Sequence, residues 1–179
     1  MLGAAGVSKV GKILGFVRGV LGLGQADAAS KFEQPEGESL FMAMPKGELA
    51  QAARAAHGSL SHFRRLLVDG TPTDVPPMVK TYISDAAVGG MWLWLSVEST
   101  TASGFNASVF EAPSEFTDLS PGTRKFVPES EVADWALVSS GVMQGGYSLR
   151  IQRSRLPAPE RQSFDRYIGV SSYAPLPAP

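Results

Sequence analysis

Along this chain the apolar positions change period twice, and the changes divide it into elements. Leu49, Ala53, Ala56, Leu60, Phe63 and Leu67 recur at spacings of three and four, while Gln51, Arg54, Ser61, Arg64 and Arg65 fall on other faces. That stripe predicts one long amphipathic helix, weakened at Gly58 and ended by Asp69-Gly70-Thr71-Pro72. After Pro76-Pro77 the period drops to two. Met78–Ile83 reads as a first strand, residues 85–90 as a turn, and Met91–Glu98 as a second. In the second strand Met91, Leu93, Leu95 and Val97 share one face, so Trp92 and Trp94 point away from it, toward the helix or a surface groove.

Phe105–Phe110 is a third candidate strand, and Arg124–Val127 and Trp135–Val138 bracket the turn Pro128-Glu129-Ser130-Glu131. Ser139-Ser140-Gly141 then supplies a hairpin into Gly146–Gln152, where Tyr147, Leu149 and Ile151 alternate with polar neighbours. A short helix follows at about Pro159–Ile168. Strands joined by short turns pair antiparallel. The fold class expected is α+β: one long helix packed on a curled, mainly antiparallel sheet, with a short C-terminal helix.

Only the ends depart from that plan. Residues 1–28 carry Lys9, Lys12 and Arg18 around Val10, Ile13, Leu14, Val17 and Leu21, with glycines at 11, 15 and 19. Three readings stand side by side: a secretory signal with small residues at Ala26 and Ala28, a membrane-surface helix, and a loosely ordered leader. The stretch is short and interrupted for a transmembrane span, and envelope and cytoplasm are equally open. Residues 29–45 read as an acidic linker and a short strand, Leu40–Ala43. Residues 46–170 form a single domain and residues 171–179 a Pro-rich tail, in which Ala174–Pro179 favours extended polyproline geometry.

Composition narrows the function classes. Sixteen Lys+Arg against seventeen Asp+Glu give a net charge of −1, which supplies no electrostatic footprint for nucleic acid. With no Cys in 179 residues, disulfides, thiolate metal sites and Cys nucleophiles are excluded. His57 and His62 stand five apart, off the same-face spacing of a helical zinc pair, and read as structural or solvated. Gly89-Gly90 and Gly145-Gly146 read as turn glycines. Ser59, Ser130 and Ser148 have no nucleophile elbow around them. No cofactor fingerprint or metal site is expected.

Two groups could carry chemistry. Glu129, Glu131 and Asp134 form an acidic cluster suited to general acid–base work, although Asp134 equally suits the anchoring of a turn. Arg150, Arg153 and Arg155, read along a strand, could grip a carboxylate or phosphate or guard a sheet edge.

Phe126–Trp135, then Gly141, then Gly145-Gly146-Tyr147-Ser148-Leu149-Arg150, resemble a bacterial family of unknown function typified by YegJ. Met91-Trp92-Leu93-Trp94-Leu95 is similar to its tryptophan-bearing strand, and Arg155-Leu156, Glu160-Arg161 and Phe164-Asp165 to its closing helix. The resemblance spans roughly Lys46–Tyr167. Thr123 departs from it, where an acidic residue is common, as do Ala136-Leu137 after the Asp-Trp pair. It implies a small α+β domain and no particular activity. In that setting Trp135 anchors the core and Asp134 fixes a turn through backbone donors.

The function expected is a non-enzymatic protein- or peptide-binding module, an immunity or accessory factor, with candidate binding residues Trp92, Trp94, Asp134, Arg150 and Arg153. A leader on the membrane surface would add a second contact. The alternative is a hydrolase using Glu129, Glu131 and Asp134 with Arg150. A deep pocket holding those carboxylates beside arginines favours the enzyme, and an aromatic patch rimmed by charge favours the binder.

Overall fold

The computed structural model describes residues 46–84, 90–110 and 119–177. The leader, the linker strand expected at Leu40–Ala43 and most of the turn expected at residues 85–90 lie outside the described residues. Four helices and a seven-stranded sheet make up the rest. The helices are α1 (Lys46–Gly58), α2 (Leu60–Val68), α3 (Tyr147–Arg155) and α4 (Ala158–Tyr167). The strands are β1 (Met78–Ile83), β2 (Met91–Thr100), β3 (Gly104–Val109), β4 (Arg124–Pro128), β5 (Asp134–Ser139), β6 (Val142–Gly145) and β7 (Ser172–Tyr173). Their order in the sheet is β4-β3-β2-β1-β5-β6-β7. Every pairing is antiparallel except the last, in which β7 runs parallel to β6. The α+β class therefore holds, with a mixed sheet that is not strongly curled. Among the described residues no helix is long and apolar enough to cross a membrane.

The single long helix expected from the stripe is two helices. Ser59 sits between them at φ −105°, ψ 8°, and its hydroxyl donates to Ala56 O at 2.9 Å. The same oxygen accepts Trp135 Nε1 at 2.9 Å and the Tyr147 hydroxyl at 2.7 Å. One donor and two acceptor sites are thereby all used. The break lets one small polar residue join α1 to β5 and α3, all inside the core, where an unmet hydroxyl would cost about 1–3 kcal/mol.

Register explains what the helices cover. Val79 lies opposite both Leu95 and Trp135, and Leu95 opposite Val109, so these side chains share one sheet face. Phe63 of α2 stacks on Trp135 at 4.9 Å and 20° and touches Phe105 at 5.6 Å. Tyr147 meets Trp135 edge-on at 6.2 Å. The other face carries Lys80, Trp94 and Asp134, paired across β2, β1 and β5. It is buried as well: Trp94 is 0% exposed. Trp94 thus belongs to the core rather than to an outward aromatic face, and β2 is buried on both sides over Leu93–Leu95.

The strand expected at Gly146–Gln152 is helix α3. The Ser140-Gly141 hairpin leads instead into the four residues of β6. Gly145 (φ +68°) and Gly146 (φ +66°) then turn the chain out of the sheet in the left-handed region. A Cβ on Gly145 would stand 2.3 Å from Trp135 O and 2.5 Å from its ring. Only glycine passes there. Arg150, Arg153 and Arg155 consequently sit on a helix and not along a strand edge. The Pro-rich tail contributes β7 at Ser172–Tyr173, before the stretch expected to be polyproline begins.

Candidate functional site

Of the residues singled out by the sequence, Asp134 is the most deeply engaged. It opens β5, is 0% exposed, and accepts four hydrogen bonds. Oδ1 takes Trp135 N at 2.8 Å and Tyr147 N at 3.1 Å, while Oδ2 takes Ser148 N at 2.8 Å and Ser148 Oγ at 2.6 Å. The N-terminal N–H groups of α3 are therefore capped by a carboxylate from another strand, where the helix dipole also favours negative charge. Burial nevertheless raises the Asp134 carboxyl above its usual range, against the pull of Ser148 and Lys80.

Lys80 faces it across the β1–β5 pair. Its ammonium is 5.8 Å from the Trp94 ring centroid, and among the described residues Nζ has no hydrogen-bond partner. Desolvation pulls this lysine from 10.5 down to about 8, with Asp134 opposing. The pair is a buried charge arrangement inside the sheet, out of a ligand's reach.

The arginines are also committed within the fold. Arg150 donates to the carbonyls of Gly145 (2.8 Å), Met143 (3.1 Å) and Ala174 (2.8 Å). Arg153 grips Asp165 in a bidentate pair, 2.7 Å at each contact. Glu129 pairs with Arg64 at 2.8 Å, and Arg64 also reaches Thr101 O at 2.6 Å. The hydrolase set is thus dispersed: Asp134 caps a helix, Glu129 holds α2, and Arg150 faces carbonyls. Among the described residues no three His, Asp or Glu side chains are grouped to hold a metal ion.

A cleft of about 920 Å³ lies among the described residues at one end of the sheet. Its walls are the last turns of α1 (Ala53, Arg54, His57, Gly58), the end of β1 (Thr81, Tyr82, Ser84), Trp92 at the start of β2, and Ser130–Ala133. The shape follows from register. β1 pairs with β2 out to Ile83, but with β5 only from Met78 to Lys80, because the chain turns away through the 3-10 turn Glu129–Glu131.

Trp92 is half-buried and meets Tyr82 edge-on at 5.3 Å and 67°. Arg54, His57 and Glu131 are exposed on the rim, and among the described residues none is held in an ion pair. Thr81 is buried, lines the cleft, and its Oγ1 lacks a partner among the described residues. Of the five binding candidates only Trp92 lies in this cleft. In the sequence Arg54 is an off-stripe position and His57 reads as structural or solvated. Their joint exposure at spacing three on α1 was the signal for a shared rim.

Comparison with known proteins adds a family and little else. Residues 46–171 match a family described as "uncharacterized protein conserved in bacteria" (DUF2314). A protein of Neisseria meningitidis serogroup B, named for ankyrin repeats, is 29% identical over 58 residues, covering 32% of this chain and 23% of that protein. The chain thus spans about a quarter of that relative's length. No solved structure matches. With the match running from the start of α1 to the residue before β7, the chain belongs to this uncharacterised bacterial family.

Proposed function

We propose that the domain is a non-enzymatic module that binds a protein or peptide in the cleft beside Trp92, as an immunity or accessory factor would. The observation that carries this is the Tyr82–Trp92 pair in an open cleft whose rim residues Arg54 and Glu131 have no ion-pair partner among the described residues. Trp, Tyr and Arg are the residues enriched at binding hot spots. Thr81 Oγ1 offers a hydrogen bond at the floor, where a ligand's amide or carboxylate would relieve a buried hydroxyl. The hydrolase reading keeps only Glu131 in the cleft. We also place the chain beside the proteins typified by YegJ, on the order of its Trp-bearing strand, Asp134-Trp135 and Gly145-Gly146-Tyr147.

Selection from a displayed random-peptide library tests the reading. The full chain is expected to enrich a related set of peptides, and Trp92→Ala or Arg54→Glu to lose them while keeping the wild-type circular dichroism spectrum. Peptides enriched equally by the substituted and unsubstituted chains would move the site elsewhere.

A further inference from the structure

The cleft beside Trp92 carries opposite charges on two different walls. Arg54 comes from α1 and Glu131 from the 3-10 turn Glu129–Glu131, and both are exposed. They line one cleft, yet among the described residues neither is held in an ion pair. Elsewhere in the fold Arg64, Arg124, Arg153 and Arg155 each find a carboxylate.

Each wall is tied down separately from the other. Glu129 N donates to Ser103 O at 2.9 Å, and the Glu129 carboxylate takes Arg64 of α2 at 2.8 Å. At the far end of the turn Ala133 N donates to Lys80 O at 2.8 Å. Between these ties Ser130 and Glu131 stay exposed along the cleft. The end of α1 is tied to β5 instead, since Trp135 Nε1 donates to Ala56 O at 3.2 Å and to Ser59 Oγ at 2.9 Å. A cation and an anion are thus presented on preorganised walls, with the Tyr82–Trp92 pair beside them. Charges placed this way select a ligand and speed its arrival more than they tighten its hold.

From this geometry we infer that the cleft selects an extended peptide carrying an acidic and a basic side chain on either side of an apolar residue. The acidic side chain meets Arg54, the basic one meets Glu131, and the apolar residue lies on the Tyr82–Trp92 pair. Charge complementarity argues for this occupant. A uniformly acidic segment would meet Glu131, and a uniformly basic one Arg54, each at the cost of a like-charge contact. The inference rests on the reading of the cleft as a peptide site and adds the charge order of its ligand.

Selection from a displayed random-decapeptide library on full-length chains tests the order. The chains are wild type, Trp92→Ala, and the double reversal Arg54→Glu with Glu131→Arg, whose positions are both exposed. Wild type is expected to enrich peptides with the two charges in one order around an apolar residue, and the double reversal to enrich the opposite order. By fluorescence anisotropy each set should bind its own chain at least about tenfold more tightly than the other chain, because every charge contact changes sign. Peptides that are lost on Trp92→Ala but bind wild type and the double reversal equally would overturn the inference and leave the cleft reading standing. No enriched set on wild type, or a set that Trp92→Ala retains, would overturn both. Should the double reversal not fold, Gln replacements of the charged residues in the wild-type peptide decide. Clearly weaker binding is expected, and unchanged binding overturns the inference.

Discussion

Asp134 holds the start of α3 through Ser148, fourteen residues further along the chain, with the serine hydroxyl 2.6 Å from Oδ2. The Asp-Trp pair is therefore a joint. Asp134 fixes the start of α3, while Trp135 beside it locks α1 and the aromatic core.

The first prediction follows from that joint. Asp134→Asn keeps the shape but replaces one acceptor oxygen with a donor that faces N–H or O–H groups. It should destabilise the domain by about 1–3 kcal/mol, the cost of leaving buried donors unmet. Ser148→Ala removes one of the four donors and should cost less. Urea denaturation of both variants checks the order. Equal stability of Asp134→Asn and wild type would dissolve the joint.

Trp135→Ala removes the ring that Phe63, Tyr147 and Ser59 all contact, and should cost about 3–5 kcal/mol. Ser59→Ala strands the Tyr147 hydroxyl and takes away one of two acceptors of Trp135 Nε1, so about 1–3 kcal/mol is expected for it. A loss below about 1 kcal/mol for Trp135→Ala, read by denaturant midpoint, would place the ring outside the core.

Lys80 gives a pH signature with a definite sign. Its folded value of about 8 lies below the unfolded 10.5, so between these the unfolded chain binds more protons. Stability therefore rises with pH across roughly 8 to 10.5, and the burden of charging Lys80 is fully present below 8. Relative to Lys80→Met, wild type should gain stability from pH 8 to pH 10. A difference that stays flat over that range would mean that the ammonium is solvated.

Residues 1–28 lie outside the described residues, and their sequence alone motivates a localisation test. Three positive charges and the Ile13, Leu14, Val17 and Leu21 face suit anionic lipid surfaces. Deleting residues 1–28 should leave the melting temperature nearly unchanged while shifting the protein from envelope to soluble fractions. Unchanged fractionation would remove the membrane-surface and export readings together.

Strand β2 is legible because Met91–Glu98 satisfies the period-two pattern locally, and β1 because Met78–Ile83 is bounded by Pro76-Pro77 and the turn at residues 85–90. The break at Ser59 is not, since its hydroxyl partners Trp135 and Tyr147 lie 76 and 88 residues away. Helix α3 looks like a strand in the sequence for a similar reason. Tyr147, Leu149 and Ile151 mimic strand alternation, and the cap that selects a helix comes from Asp134 rather than from a neighbouring residue. Trp94 looked outward because strand alternation assumes one wet face. The cleft joins Arg54, Thr81, Trp92 and Glu131 from four separate segments, and no local pattern announces such a meeting.

The central claim separates a binding residue from a scaffold residue, and one titration tests it most directly. A peptide selected on the full chain is titrated by fluorescence anisotropy into wild type and Trp92→Ala, with both melting curves recorded. Trp92→Ala should weaken binding by roughly 30-fold, the loss expected for a hot-spot aromatic worth about 2 kcal/mol, while its melting temperature stays within a few degrees of wild type. Unchanged affinity in a folded Trp92→Ala chain would contradict the account, and so would a collapse of the melting temperature that makes Trp92 a core residue like Trp94.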